Sequence, residues 1–221
     1  MNADSPAPRG DVIQVPPAGL AEAAEASRAT IERGELIVFP TDTVYGIAAD
    51  TFNEQAILRL FEAKGRPRGM PIPILVASPD NVGVLVHGDL APYAHTLFDK
   101  FWPGALTVIV PRSRALPEAV AGGGATIGLR LPDSDVACGI IEACGGALAT
   151  TSANLTTQPP ACEVADLTSE LLAHVALVVD GGRCPGGTAS TVLDLTQSPP
   201  KVLREGPVSH DALSAILGEV Q

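Results

Sequence analysis

Short apolar segments alternate with amphipathic segments along most of this chain. "ELIVF", residues 35–39, is short, continuous and apolar, which predicts a strand that is buried on both faces. "NEQAILRLFEAKG", residues 53–65, spaces its apolar side chains so that they share one face of a helix. Asn53 can cap the start of this helix, and Gly65 suits its C-terminal end.

The same criteria predict the other elements. Helices are expected over residues 18–33, 91–101, 135–144, about 164–173 and 209–220. Strands are expected over residues 71–78, 105–110, 126–132, 175–180, 190–195 and 201–205, and another begins at 147. Pro71 and Pro73 confine their strand to a sheet edge or mark its start. Ser209 is expected to cap the last helix.

Strands and helices alternate for most of the length, which predicts an α/β fold with helices packed on a sheet. No internal repeat or long linker interrupts this pattern. We therefore expect one domain over residues 16–221, preceded by a flexible tail over residues 1–15.

Composition narrows the class of protein. The 221 residues are 46% hydrophobic and 18% charged, so the chain can bury a sizeable core. The net charge of −11 argues against a module that binds nucleic acid through a basic face, although it leaves room for a local basic pocket. The N-terminus lacks a secretory pattern and no apolar run approaches ~18 residues, so a cytoplasmic protein without a membrane span is expected. The four cysteines form no CxxC pair, which predicts free thiols and no zinc site.

Two clusters of hydroxyl-bearing residues follow predicted strands. Residues 41–43, "TDT", come after "LIVFP", and residues 150–154, "TTSAN", come after "GGALA". Open α/β sheets bind ligands beyond the carboxyl ends of their strands, so these clusters are candidates for a site. Thr, Asp and Ser are also ordinary turn and cap residues, and this alternative stays open.

The stretch "AKGRPRG" concentrates positive charge in a chain with 14 basic residues. Lys64, Arg66 and Arg68 lie on a loop stiffened by proline, which suits phosphate binding. Solvent-exposed charges at a helix end are the alternative. The nucleotide motifs fail, because "GGRCPGGT" at residues 181–188 has Gly187 where a P-loop needs lysine. The residues alone indicate an anionic ligand and leave the reaction open.

Taken in order, seven segments resemble the YrdC-type threonylcarbamoyl-AMP synthase family. They run from about Gly34 to Ser209 and are "FPTDTVYGIAAD", "AKGRPRGMPIPILV", "FWPGALTVIV", "TIGLRLP", "TSAN", "STVLDL" and "VLREGPVS". The resemblance implies a twisted mixed sheet with a concave, basic face. It also implies that L-threonine and bicarbonate form N-carboxythreonine, which attacks the α-phosphate of ATP and releases diphosphate. A tRNA threonylcarbamoyl-transferase complex is then expected to pass the threonylcarbamoyl group to the adenosine beside the anticodon.

The resemblance also implies roles for individual residues. The expected catalytic residues are Lys64, Arg66 and Ser152. ATP is expected to contact Lys64, Arg66, Met70, Thr126, Asn154 and Arg204. Threonine is expected to contact Thr43, Arg130, Ser152 and Ser190. Asp42 is expected to be structural, and Mg²⁺ is expected on the ATP phosphates with no metal held by the protein.

Some positions depart from the family pattern, and two other functions remain as alternatives. The departures are Met70, Leu75, the pair Thr156-Thr157, Cys162 and Glu205. Thr156-Thr157 stands where the family usually has Ser-Gly after "SAN". Threonine disfavours a positive φ angle, so the backbone angles of this loop are expected to differ from those of the family. The alternative functions are a carbamoyl-adenylating enzyme, as in hydrogenase maturation, and a module that binds double-stranded RNA. A weak contact with double-stranded RNA or tRNA is a further expectation.

Overall fold

The computed structural model of the chain describes residues 10–15, 19–186 and 188–221. Within these ranges the strands are β1 (Asp11–Gln14), β2 (Ile37–Phe39), β3 (Gly46–Asp50), β4 (Ile74–Val76), β5 (Leu106–Pro111), β6 (Thr126–Arg130), β7 (Ala147–Ser152), β8 (Leu177–Asp180), β9 (Thr191–Asp194) and β10 (Lys201–Arg204). The helices are α1 (Leu20–Glu32), α2 (Glu54–Lys64), α3 (Pro92–Phe101), α4 (Asp135–Ala143), α5 (Ser169–Leu172) and α6 (His210–Leu217).

The strands form one mixed sheet of ten strands. Their order across the sheet is β1-β8-β2-β3-β7-β4-β6-β5-β9-β10. β8 pairs in parallel with β1 and β2, and β4 with β6 and β5 with β9 are also parallel, whereas the other pairs are antiparallel. The predicted α/β class is confirmed. Strands far apart in sequence become neighbours, so residues from both halves of the chain can meet.

Apolar side chains cover both faces of the sheet. Along β2, Ile37 and Phe39 belong to the cluster that includes α1 and α4, while Val38 belongs to the cluster that includes α2. All three side chains are fully buried. The prediction that this apolar run is a strand buried on both faces is therefore confirmed, and the centre of the sheet is a fixed platform.

The predicted ends of two helices are also confirmed. The side chain of Asn53 accepts hydrogen bonds from the backbone N–H groups of Gln55 and Ala56 at 3.0 and 3.2 Å. Gly65 follows α2 with φ of +56°, the left-handed conformation that glycine adopts easily. Ser209 caps α6 by accepting from the N–H of Ala212 at 3.2 Å.

The N-terminal region differs from the expected tail. Residues 11–14 form β1, which pairs with β8 from Asp11 to Gln14. This edge strand is mostly exposed, so its sequence carries no continuous apolar run that would have identified it. Residues 1–9 of the tail expected over residues 1–15 lie outside the described residues.

Two further elements differ from the prediction. The helix expected at about 164–173 is a 3-10 turn at Val164–Asp166 followed by the short helix α5. Thr168 starts α5 anew, because its hydroxyl accepts from the N–H of Leu171 at 3.3 Å. β3 was not predicted, since "GIAAD" consists largely of small residues without a β pattern.

β4 lies in the interior of the sheet, between β7 and β6. Pro71 and Pro73 precede its first residue, Ile74, so the two prolines do mark a strand start. The alternative of an edge strand was wrong. Their rigid backbone leads the chain from the basic loop after α2 into the centre of the sheet.

Candidate active site

A cavity of about 400 Å³ opens on one face of the sheet, because alternate residues along the central strands line it. The expected position beyond the carboxyl ends of the strands was wrong. Its walls come from β3, β4, β5, β6, β7, β9 and β10, from the loop after α2 and from the segments that precede β3, β4 and β9. Six of the site residues expected from the sequence line it, namely Thr43, Arg66, Arg130, Ser152, Ser190 and Arg204. The two hydroxyl-rich clusters and the basic loop therefore meet in one place.

The charge of the cavity is opposite to that of the whole chain. Among the described residues that line it, three are arginines and none is Asp or Glu, although the chain has a net charge of −11. A concave surface lined by one sign of charge attracts ligands of the other sign. This arrangement suits an anionic ligand.

The first hydroxyl-rich cluster serves both the turn and the cavity. The Thr41 hydroxyl accepts from the N–H groups of Thr43 and Val44 at 3.2 and 3.3 Å and donates to the Val44 carbonyl at 2.7 Å. These bonds fix the turn after β2. The Thr43 hydroxyl, 3.1 Å from that of Thr41, is thereby held on the cavity wall.

Arg130 is buried and anchored on three sides. Its Nη2 group donates to both carboxylate oxygens of Asp42 at 2.6 and 2.7 Å, Nη1 donates to Thr43 Oγ1 at 3.0 Å, and Nε donates to the Gly104 carbonyl at 2.9 Å. Burial lowers the pKa of Arg130, and the Asp42 carboxylate opposes that shift. Arginine stays charged under such conditions. Asp42 offsets this charge, as suits the structural role expected for it.

Arg66 and Arg204 carry charges that no carboxylate offsets. Arg66 Nη2 donates to the Pro71 carbonyl at 2.9 Å, and its Nε is buried without a partner. Arg204 donates to the Ser190 carbonyl from Nε at 3.0 Å and to Ser190 Oγ from Nη2 at 3.3 Å. Burial lowers the pKa of both arginines. Among the described residues neither forms an ion pair with an acidic side chain. Unused guanidinium donors are therefore available to a bound anion.

Lys64 has a different environment from the one the sequence suggested. Its ammonium donates to the carbonyls of Ser152 and Asn154 at 2.5 and 2.6 Å. In return, the N–H and hydroxyl of Thr156 both donate to the Lys64 carbonyl at 3.0 Å. Burial lowers the pKa of Lys64 to about 8, and the charge of Arg66 adds to this effect. Lys64 thus holds the turn after β7 and does not line the cavity; its expected contact with phosphate stays a prediction.

Three other residues expected to contact ATP also lie outside the cavity lining. Both amide hydrogens of Asn154 are used within its own turn, at 2.9 Å from the Leu155 carbonyl and 2.6 Å from that of Gln158. Met70 is 42% exposed. Thr126 begins β6 opposite Pro111. Their contacts with ATP stay predictions.

Thr107 is a cavity residue that the sequence did not reveal. Its hydroxyl lies 2.7 Å from Ser190 Oγ, and both residues are 4% exposed. In the sequence it is the single polar residue of the predicted strand "ALTVIV". The apolar run predicts a buried strand, but it does not predict that the Thr107 hydroxyl contacts Ser190.

The described part of the chain contains neither a metal-binding cluster nor a membrane-spanning helix. No group of three or more His, Cys, Asp or Glu residues there could hold a metal ion. No helix there is long and apolar enough to cross a membrane. The four cysteines are unpaired thiols.

The fold and the site together define a class of protein: a mixed α/β domain with a small basic cavity on one face of its sheet. Comparison with known proteins gives the family. The Sua5/YciO/YrdC family model, described as "Telomere recombination", matches residues 29–206. The chain therefore belongs to this family.

The relatives include enzymes that carry a specific name. A threonylcarbamoyl-AMP synthase of Pyrococcus abyssi is 36% identical over 191 residues, which are 86% of this chain and 56% of that protein. A Mycobacterium tuberculosis relative is 39% identical over 188 residues, which are 85% of this chain and 86% of its own length. The chain thus spans little more than half of the Pyrococcus protein and most of the mycobacterial one.

Solved structures agree with the family assignment. The crystal structure of Pyrococcus abyssi Sua5 complexed with L-threonine has a TM-score of 0.88 and 33% identity, and the match covers 96% of this chain and 62% of that one. HypF of T. kodakarensis matches with a TM-score of 0.71 at 20% identity, over 87% of this chain and 24% of that one. At that identity the likeness concerns the fold alone.

Proposed function

We propose that this chain is an L-threonylcarbamoyladenylate synthase, a nucleotidyltransferase that makes threonylcarbamoyl-AMP and diphosphate from L-threonine, bicarbonate and ATP. The observation that carries the proposal is the cavity, which is lined by hydroxyl-bearing residues and by two arginines that have no acidic partner among the described residues. The similarity to a named synthase and to a threonine-bound structure supports this choice of ligands.

The proposed chemistry needs positive charge more than it needs a nucleophilic side chain. The amine of threonine adds to bicarbonate with loss of water, and the new carboxylate attacks the α-phosphorus of ATP. The bond to diphosphate breaks as the new P–O bond forms. Because both reactants are anions, cations must offset their repulsion and stabilise the charge that develops at phosphorus.

The side chains divide between the two substrates. We assign Arg66 and Arg204 to the phosphates, since burial and unused donors make both strong anion ligands. Thr43, Ser152 and Ser190 supply hydroxyl groups to threonine. Arg130 donates from Nη2 to Asp42, from Nη1 to Thr43 and from Nε to Gly104, and the second hydrogen of Nη1 is left for the threonine carboxylate.

The remaining roles belong to the same proposal. Lys64 donates to the carbonyl of Ser152, the last residue of β7. It therefore supports catalysis at least by fixing the position of Ser152. Met70, Thr126 and Asn154 are proposed to approach ATP once it is bound. Mg²⁺ would enter on the ATP phosphates, where substrate oxygens and water supply most of its ligands.

The proposal also places the chain in a reaction sequence. Threonylcarbamoyl-AMP is a mixed anhydride, so an acceptor nucleophile must consume it promptly, and a tRNA threonylcarbamoyl-transferase complex in the cytoplasm would do so. Only a weak contact with tRNA is proposed for this chain itself, because its net charge of −11 opposes general binding to nucleic acid.

The deciding experiment measures diphosphate release from ATP with and without threonine and bicarbonate. We expect release to require both compounds. Release that is indifferent to threonine contradicts the proposal, and release that requires carbamoyl phosphate instead supports the carbamoyl-adenylating alternative. Tight binding of double-stranded RNA at physiological salt, with no threonine-dependent release, supports the RNA-binding alternative.

Arg66→Ala tests the assignment of phosphate binding. Loss of a charge-assisted hydrogen bond should weaken the transition state by about 2 kcal/mol, so kcat/KM for ATP should fall about thirtyfold. Arg68→Ala is the matched control, because Arg68 lies two residues away with its side chain 67% exposed. Equal kinetics for the two variants would remove Arg66 from the site.

A further inference from the structure

Two buried hydroxyl groups meet on the cavity wall, and the assigned roles use only one of them. Thr107 Oγ1 lies 2.7 Å from Ser190 Oγ. Both residues line the cavity. The Thr107 hydroxyl has no other hydrogen-bond partner within the described part of the chain, so it depends on Ser190.

The sheet itself creates this pair. β5 and β9 are parallel, with Thr107 opposite Val192. Ser190, two residues before Val192, therefore lies diagonally from Thr107 on the same face of the sheet. The N–H of Thr191 donates to the Ala105 carbonyl at 3.0 Å and fixes the start of β9 against β5. On the other side of β5, Gly128 leaves space for Thr107, because a Cβ there would lie 3.1 Å from the Thr107 methyl carbon.

A third group acts on the same oxygen. Arg204 Nη2 donates to Ser190 Oγ at 3.3 Å. A hydroxyl group has one hydrogen and two lone pairs, and the two hydroxyls share a single hydrogen bond, so one O–H hydrogen is left over. Either hydroxyl can be the donor in this pair. Donation from a cation polarises Ser190 and makes it the better donor to a ligand. An anion bound at Ser190 therefore favours the arrangement in which Thr107 donates to Ser190, while Ser190 accepts twice and turns its own hydrogen to the cavity.

We propose that Thr107 is a positioning residue, which orients the Ser190 hydroxyl as a hydrogen-bond donor to an anionic oxygen of bound threonine. Without the Thr107 hydroxyl, Ser190 can turn its hydrogen away from the ligand. The identity of the ligand rests on the proposed synthase function, whereas the pair itself rests on the contacts among Thr107, Ser190 and Arg204.

The test compares Thr107→Val, which removes the hydroxyl and keeps the branched shape, with Thr107→Ser, which keeps the hydroxyl. Calorimetry gives the Kd of L-threonine, and diphosphate release gives KM for threonine and for ATP. We expect the valine variant to raise Kd and KM for threonine about tenfold with little change in KM for ATP, and the serine variant to stay near the wild type. Unchanged threonine binding in the valine variant overturns the proposal.

Two controls separate positioning from a general loss of stability. Thr51→Val removes another fully buried hydroxyl, which donates to the Ala147 carbonyl at 3.0 Å away from the cavity. It should lower Tm and leave the threonine Kd unchanged. If Thr107→Val does not fold, Thr107→Ala and the serine variant supply the same comparison.

A double-mutant cycle with Ser190→Ala tests whether Thr107 acts through Ser190. In the alanine background, loss of the Thr107 hydroxyl should cost little further threonine affinity. Additive losses would overturn the proposal. If the wild-type protein shows neither threonine binding nor threonine-dependent diphosphate release, both this inference and the proposed function fail. If the wild type is active and Thr107→Val binds threonine as well as the wild type does, this inference alone fails.

Discussion

At the scale of single residues, Arg130 belongs to both the fold and the site. The family resemblance gave it the threonine carboxylate as a partner. The structure gives it Asp42, whose two carboxylate oxygens both accept from Arg130 Nη2. The pair is largely buried, with side chains 8% and 12% exposed. A buried pair of this kind is costly to break from one side, because the remaining charge has no partner.

Asp42→Asn is therefore expected to destabilise the protein by about 3 kcal/mol, because the amide nearly matches the carboxylate in shape and lacks its charge. Urea denaturation at pH 7 measures the change. The control is Glu163→Gln, which breaks the exposed pair with Arg183 and should cost less than about 1 kcal/mol. Similar losses in the two variants would show that Asp42 contributes only a surface interaction.

At the scale of elements, the end of α2 and the turn after β7 hold each other. The Lys64 ammonium donates into the turn, and Thr156 donates back to the Lys64 carbonyl. The next residue, Thr157, has φ of +86°. A β-branched residue in that region is strained. The expectation that threonine changes the backbone by avoiding a positive φ was wrong, because Thr157 adopts the positive φ itself.

Thr157→Gly should raise the free energy of unfolding by about 1 kcal/mol, because relief of the strain exceeds the entropy that glycine loses on folding. Thermal unfolding measures the change. Thr156→Gly is the matched control one residue away, and it should lower Tm, since it removes the hydroxyl bonded to the Lys64 carbonyl at 3.0 Å. A glycine at residue 157 that lowers Tm as much would contradict the assignment of strain.

At the scale of the whole molecule, burial of Lys64 links folding to pH. Its pKa falls from 10.5 to about 8 in the folded protein. Below pH 8 the lysine is charged in both states, and the folded state bears the cost of burial. Between about 8 and 10.5 the unfolded state binds more protons, so the free energy of unfolding gains a contribution that grows with pH.

The expected gain is about 3 kcal/mol across this pH range, measured as the stability of the wild type minus that of Lys64→Met. Subtracting the variant removes the titration of the other groups. Lys201→Met serves as the control because Lys201 is exposed on β10, and its difference from the wild type should stay flat. A flat difference for Lys64→Met as well would show that burial does not shift its titration.

Some elements could be predicted from the sequence, and others could not. The continuous apolar run of β2 and the caps at Asn53 and Ser209 are local signals, and the structure confirms them. β1 and β3 were missed because one is an exposed edge strand and the other consists of small residues. Neither carries a local pattern; both exist because β8, β2 and β7 offer them hydrogen bonds.

The sequence by itself determined the α/β class, the order of most elements and the residue types of a site for an anion, because periodicity, caps and motifs are local properties. Only the tertiary structure decided which of those residues meet. Thr43, Arg130 and Ser190 line one cavity because strand pairing joins distant segments. Lys64, by contrast, turns to the carbonyls after β7, because a buried ammonium needs acceptors nearby. Thr107 belongs to the site because it contacts Ser190 where β5 and β9 pair. The spacing of residues along the chain does not predict this contact.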